Sequence, residues 1–154
     1  MDIDYPVQHF VEFVADRIEE LKPHLKQVQE QRVTYHDPCY LGRANDVYDA
    51  PRTLLSAIPG LELVEMPHNR TNSLCCGGGG GGMWLDGFQW EKAHVRLSEW
   101  RIQEAVSVNA DVLAVACPYE PPRFEDAAKM VKGGGRLAVK DIAELLAESI
   151  EAEA

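Results

Sequence analysis

Four cysteines are the residues of this 154-residue chain whose type and spacing best fit a chemical role. They are Cys39, the adjacent pair Cys75 and Cys76, and Cys117, with 35 and 40 residues between these three positions. Thiolates bind metal ions and iron–sulfur clusters, and they also take part in disulfide exchange. Four cysteines in a chain of this length do not form a disulfide scaffold, so metal-binding or redox chemistry is the better interpretation.

A run of six glycines, residues 77–82, directly follows the cysteine pair. Glycine loses more backbone entropy on folding than other residues, so such a run needs a reason. Glycines let backbone N–H groups approach an anion closely, and Gly77 and Gly78 adjoin the thiols. A thiolate-bound iron–sulfur cluster is such an anion. The alternatives are a flexible loop and a phosphate-binding loop, although the run lacks the Lys-Ser/Thr of a Walker loop.

The apolar pattern predicts alternating strands and helices. Apolar residues spaced by three and four between Val7 and Val28 predict an amphipathic helix that Pro23 kinks or splits. Strands are predicted at 32–36, 61–66, 111–116 and 136–139, and helices from Pro51 to Ile58, at about 88–108, at about 123–131 and after Asp141. This alternation predicts an α/β fold, Rossmann-like, with a four-stranded, mostly parallel sheet and helices on both faces.

No linker or internal repeat interrupts this pattern. We therefore expect one domain over residues 1–154, with the N-terminal amphipathic helix in 1–30 and the core in 33–140. The cysteines fall after the first, second and third predicted strands. Because ligand sites of open parallel sheets lie outside the carboxyl ends of the strands, we expect all four cysteines to converge at that edge.

Composition excludes several classes of function. The formal net charge of −10 argues against a nucleic-acid partner, because phosphate binding needs clustered Lys and Arg. No run of 18 apolar residues occurs, so we do not expect the chain to span a membrane itself. The first residues lack the basic-then-apolar order of a signal peptide, which predicts a cytoplasmic location, with any membrane association made through a partner.

The segment from Tyr35 to Arg43, followed by Cys75-Cys76-Gly77 and by Cys117-Pro118, resembles the cysteine-rich CCG domain. This domain occurs in heterodisulfide reductases and in related iron–sulfur oxidoreductases, and the resemblance extends from about Val33 to Val139. It implies a 4Fe–4S cluster, cubane or non-cubane, bound by Cys39, Cys75, Cys76 and Cys117. It also implies a domain or subunit of an oxidoreductase complex that passes electrons to or from a disulfide, flavin or quinone partner.

The family's last motif is usually Cys-x-x-Cys, whereas Glu120 stands here at the position of its second cysteine. Glu120 is therefore a candidate oxygen ligand, or it is an acidic residue of a first helical turn. His36 is a candidate for delivering a proton to a substrate, or it fixes the backbone by hydrogen bonds. The same two alternatives apply to His68. The resemblance implies partner subunits that are flavoproteins, ferredoxin-like or quinone-reactive.

Two other cofactor states are compatible with these residues. Zinc would use four cysteines, or three with His36 or His68, although adjacent cysteines are unusual as zinc ligands. The chain would then be a structural or assembly subunit without its own redox centre. A cluster-free dithiol that cycles between Cys75-Cys76 thiols and a strained disulfide is the third interpretation.

Overall fold

Four short parallel strands form the sheet at the centre of the chain. Residues 5, 7–85, 91 and 94–150 are described by the computed structural model. The strands are β1 (Gln31–Tyr35), β2 (Leu61–Leu63), β3 (Val112–Val115) and β4 (Ala138–Asp141), in the spatial order β2-β1-β3-β4. All neighbouring pairs are parallel. The predicted α/β class and parallel sheet are confirmed, and the strand positions agree to within three residues.

Helices cover both faces of this sheet, as predicted. They are α1 (Phe10–Ala15), α2 (Ile18–Leu21), α3 (Asp49–Ala57), α4 (Leu97–Ser107), α5 (Glu120–Met130) and α6 (Ile142–Ser149). One core joins α1, α2, α3 and α6 to alternate residues of β1 and β3, and a second core joins α4 and α5 to the opposite face of β3. Every residue of β3 is therefore fully buried, as expected for a central parallel strand. No helix in the described part of the chain is long and apolar enough to cross a bilayer.

The N-terminal helix is shorter and more divided than the prediction of one helix over 7–28. It begins at Phe10 because the His9 side chain accepts the Val11 N–H while Glu12 accepts the His9 N–H, which together form a capping box. A break follows at Arg17, where the backbone leaves the helical region (φ −113°, ψ 17°). Pro23 lies in a short 3₁₀ turn, Lys22–His24, so it terminates the helical segment rather than kinking it.

Two other helices begin earlier than predicted. Helix α3 starts at Asp49, so Pro51 is its third residue rather than its first. Helix α5 starts at Glu120, three residues before the predicted start, with Pro121 and Pro122 in its first turn. Proline is tolerated there because the first N–H groups of a helix have no partner within the helix. Asp141 caps α6 as predicted, accepting the Ala143 N–H at 2.8 Å.

The helix predicted at about 88–108 is described from Leu97 to Ser107. Residues 88–90, 92 and 93 lie outside the described residues, whereas 94–96 are described and are not helical. His94 has φ 53°, which is incompatible with a continuous helix through this position. Strand β2 ends at Leu63 instead of residue 66, and β4 begins at Ala138 instead of 136 because Gly134–Arg136 form a 3₁₀ turn.

Candidate cofactor site

The four cysteines lie in the loops that follow β1, β2 and β3, at the carboxyl edge of the sheet. Strands β1 and β3 are neighbours, but the chain leaving β1 leads outward to β2, whereas the chain leaving β3 leads to β4 on the other side. Such a reversal of direction opens a crevice between the departing loops, and this is where open α/β sheets bind ligands.

A cavity of about 450 Å³ lies at the amino ends of the strands and contains no cysteine, whereas a cavity of about 270 Å³ lies among the cysteine loops. The second cavity is lined by aromatic residues, the glycine run and an acidic side chain as well as by thiols, including Cys39, Cys76, Cys117, Glu120 and Trp84. Cys75 lines an adjoining narrow pocket together with Cys39, Cys76 and Arg43. The thiols therefore surround a volume instead of meeting at one point.

The loop that carries Cys39 is anchored by a buried ion pair. Asp37 accepts hydrogen bonds from the Arg52 guanidinium through both carboxylate oxygens, at 2.7 and 3.0 Å. The same carboxylate accepts the backbone N–H of Arg70 at 2.7 Å, which ties this loop to the one that follows β2. Glu65 binds the outer side of the Arg52 guanidinium. Cys39 itself is exposed, two residues beyond this anchor.

The loop that carries Cys75 and Cys76 turns its backbone toward the thiols. The N–H of Gly77 donates to the Cys75 sulfur at 3.3 Å, and the N–H of Gly78 donates to the Cys76 sulfur at 3.4 Å. Gly77 and the following Gly80 and Gly81 have positive φ, a region that side chains disfavour. A Cβ on Gly82 would lie 2.7 Å from the Gly77 carbonyl oxygen, so the run folds back on itself there.

A buried polar cluster lies at the base of the cavity. His36, Cys76 and Glu120 place one donor atom each within 4.8 Å of one another, and the His36 Nε2 lies 3.3 Å from Glu120 Oε1. The second oxygen of Glu120 is buried and has no hydrogen-bond partner among the described residues. A buried polar oxygen without a hydrogen-bond partner is energetically costly, which makes this oxygen a candidate ligand for a cation.

Comparison with known families identifies the cysteine pattern. The profile of the cysteine-rich CCG domain matches residues 33–119, more than half of the chain. The chain belongs to the CCG domain family. The match begins in β1 and ends one residue before Glu120, so it includes all four cysteines and the glycine run.

Relatives of this CCG domain are larger redox proteins. The "Probable iron-sulfur-binding oxidoreductase FadF" of Bacillus subtilis is 38% identical over 94% of this chain, and the "Probable membrane-anchored ferredoxin" of Chromohalobacter salexigens is 41% identical over 97%. One subunit of the dihydromethanophenazine:CoB–CoM heterodisulfide reductase of Methanosarcina barkeri is 37% identical over 97%. The chain covers only 20%, 22% and 35% of the lengths of these three relatives. No solved structure is significantly similar to it.

The two adjacent thiols of the CCG motif differ in their acid–base character. Hydrogen bonding to Cys76 lowers the pKa of Cys75 to about 5, with further help from the Gly77 N–H. The same hydrogen bond, together with burial, raises the pKa of Cys76 well above its ordinary value. Burial also raises the pKa of the Cys117 thiol. The exposed Cys75 is therefore the more acidic thiol of the adjacent pair, and the buried Cys76 is the less acidic one.

The structure brings most of the predicted site residues together. The cavity of about 270 Å³ among the cysteine loops is lined by Cys39, Cys76, Cys117, Gly78 and Glu120, while Cys75 and His36 line the adjoining pocket. His68, in contrast, lies away from both pockets and bonds to Glu104. The roles of these residues as ligands or proton donors remain predictions.

Sequence reasoning missed the buried arginines Arg52 and Arg101. Their guanidinium groups donate to Asp37 and His36, which precede Cys39 in the loop after β1. A signal for Arg101 exists in the sequence, because it adjoins the apolar Ile102 and precedes Glu104 by one helical turn on the core-facing side of α4.

Proposed function

We propose that this CCG domain binds an iron–sulfur cluster of the 4Fe–4S type through Cys39, Cys75, Cys76 and Cys117. It would serve as the electron-transfer unit of a heterodisulfide reductase-like oxidoreductase, exchanging electrons with a disulfide, flavin or quinone partner. The observation that carries the proposal is the arrangement of the thiols around a volume at the carboxyl edge of the sheet.

The donor geometry favours a cluster over a single zinc ion. A single ion needs its donors close to one point, about 2.0–2.3 Å from the metal. Among the described residues, the group whose donor atoms come within 4.8 Å of one another is His36, Cys76 and Glu120, and it includes neither Cys39 nor Cys117. Thiols spread around a cavity fit a cofactor that has several metal atoms and therefore several binding points.

Residues beside the thiols also fit a cluster. The N–H groups of Gly77 and Gly78 already donate to sulfur, and such hydrogen bonds tune the potential of iron–sulfur centres. The Glu120 oxygen that lacks a hydrogen-bond partner among the described residues fits an iron atom at the position where the family's fifth thiolate stands. A bound cluster would supply one-electron transfer, and the chain's own groups would hold it, set its charge and limit its contact with water.

The names of the relatives support a role for this domain within a larger redox complex. Each relative is a redox protein by name, which supports a place in an oxidoreductase complex. We propose a flavoprotein, ferredoxin-like or quinone-reactive subunit as its partner there. We place the domain, as one unit over residues 1–154, in the cytoplasm. The name of the Chromohalobacter relative supports an association with a membrane, and we propose that this association is made through a partner.

The test is metal analysis of protein purified without oxygen. We expect iron and acid-labile sulfide in equal amounts, a visible absorbance band and an EPR signal in one redox state. Serine at Cys39, Cys75, Cys76 or Cys117 should abolish or strongly change these signals. Thr71→Ala, an exposed change in the same loop as the cysteine pair, should leave them intact. Stoichiometric zinc without sulfide would show the proposal to be wrong.

A further inference from the structure

Arg101 lies in α4 beneath the candidate site and is completely buried. Its Nε donates to His36 Nδ1 at 3.1 Å, and its Nη1 donates to the backbone carbonyl of His68 at 2.7 Å. The same Nη1 donates to Glu104, whose other oxygen bonds to the His68 ring. One side chain therefore joins the chain that leaves β1, toward Cys39, to the chain that leaves β2, toward Cys75.

This contact decides which nitrogen of His36 carries a proton. A guanidinium has donors and no acceptor, so His36 Nδ1 must accept and cannot hold a proton. In the neutral form of the ring the proton is then on Nε2, which lies 3.3 Å from Glu120 Oε1. Phe124 packs its ring edge-on against the imidazole, at 4.9 Å between centroids, and limits its rotation.

We infer that Arg101 is a positioning residue that acts on Glu120 through His36, an inference that rests on the proposed ligand role of Glu120. The Nε2 atom of His36 lies 3.3 Å from one oxygen of the carboxylate, and the other oxygen has no partner in the described part of the chain. Because Glu120 lines the cavity among the cysteines, this arrangement sets the carboxylate for a cation there. It also removes His36 from the set of metal ligands, since a protonated Nε2 has no lone pair to offer.

The first test needs no cofactor. Ring-nitrogen NMR of metal-free protein labelled at histidine distinguishes the two neutral tautomers and the doubly protonated ring. We expect the Nε2–H tautomer of His36 to outnumber the Nδ1–H tautomer by about tenfold or more, because a hydrogen bond from a charged donor to Nδ1 favours the first tautomer by that factor. A His36 ring protonated on Nδ1 would overturn the inference in the unaltered protein, whatever the variants do.

The second test asks whether Arg101 acts through Glu120. Arg101→Met and Glu120→Gln are compared singly and together after reconstitution with iron and sulfide, with EPR and midpoint potential as readouts. We expect each single variant to shift both readouts, and the double variant to match Glu120→Gln alone. Arg96→Met is the matched control, because Arg96 also precedes an acidic partner by three residues near the start of α4 but pairs with Glu99 and Asp126.

A shift from Arg101→Met that persists unchanged in the Glu120→Gln background would show that Arg101 has only a structural role, and would overturn the inference. Failure of the cofactor proposal is recognised separately, by a lack of iron and sulfide in the unaltered protein. In that case the ring-nitrogen result still decides whether Arg101 fixes the tautomer of His36.

Discussion

Arg52 and Asp37 form a two-pronged ion pair with almost no exposure to water, directly beneath the loop that carries Cys39. Arg52 belongs to α3 and Asp37 to the end of β1, so the pair joins a helix to the loop of the candidate site. Both side chains are shielded from water, so water cannot take the place of either partner if the other is removed. The pair therefore couples the stability of the fold to the position of Cys39.

We predict that Arg52→Met lowers the free energy of unfolding by about 3–5 kcal/mol, because it leaves the Asp37 charge buried and uncompensated. Adding Asp37→Asn should recover part of this loss, since the amide is neutral and can still accept the Arg70 N–H. Chemical denaturation of metal-free protein measures both effects. Arg70→Met, which breaks an exposed ion pair with Asp49, should cost less than about 1 kcal/mol. Equal losses from the two arginines would contradict the prediction.

The glycine run should tolerate substitution unevenly. We predict that Gly82→Ala destabilises the loop by about 1–3 kcal/mol and lowers iron content, because its Cβ would meet the Gly77 carbonyl oxygen at 2.7 Å. Gly79→Ala, with nothing within 4 Å of the added carbon, should fold with stability within about 1 kcal/mol of the parent. Thermal unfolding and iron analysis of both variants test this. If both substitutions behave alike, the run is only a flexible connection.

Glu120 should behave as a ligand rather than as a helix-capping charge. We predict that Glu120→Gln weakens iron retention by about tenfold or more, since even outer-shell changes at metal sites have effects of that size. Glu120→Cys should gain the spectrum of a cluster with five thiolates. Chelator challenge and EPR are the measurements, and Glu125→Gln, an exposed change in the same helix, is the control. If both Glu120 variants retain iron and give spectra like the parent protein, Glu120 is not a ligand. Its role is then only the favourable interaction of its charge with the N-terminal end of the helix.

Alkylation of the metal-free protein should distinguish the adjacent cysteines. With a pKa of about 5, Cys75 is already a thiolate above about pH 6, so its labelling rate should be nearly constant from there to pH 8 and fall only near pH 5. An ordinary thiol, with a pKa of about 8.5, reacts roughly tenfold faster for each unit by which the pH rises in the same range. Peptide mapping should find Cys75 labelled long before the buried Cys76. A tenfold rise per unit at Cys75 would contradict the prediction.

The order of strands and helices could be predicted because local signals agree with the fold. Residues 112–115 are apolar without alternation and are bounded by Asp111 and Pro118, which indicates a strand buried on both faces. Parallel topology then places the loops after successive strands at one edge, so the convergence of the cysteines follows from their positions after those strands. The cap at Asp141 was predictable for a similar reason, since its bond to Ala143 spans only two residues.

The support of the site could not be predicted in this way. Arg101 and His36 are 65 residues apart, and no local rule places their nitrogen atoms 3.1 Å from each other. Their contact depends on how α4 packs against the end of β1, which is a property of the assembled core. The break at Arg17 was missed because the apolar spacing continues through it while the backbone does not.

All four cysteines lie at one end of the sheet, and the polar hollow at the other end, lined by residues such as Gln31 and Asp111, contains none. A cluster bound by these thiols would therefore lie off-centre in the domain. It would be nearer to a partner that docks at the cysteine-bearing end of the sheet than to one that docks at the opposite end.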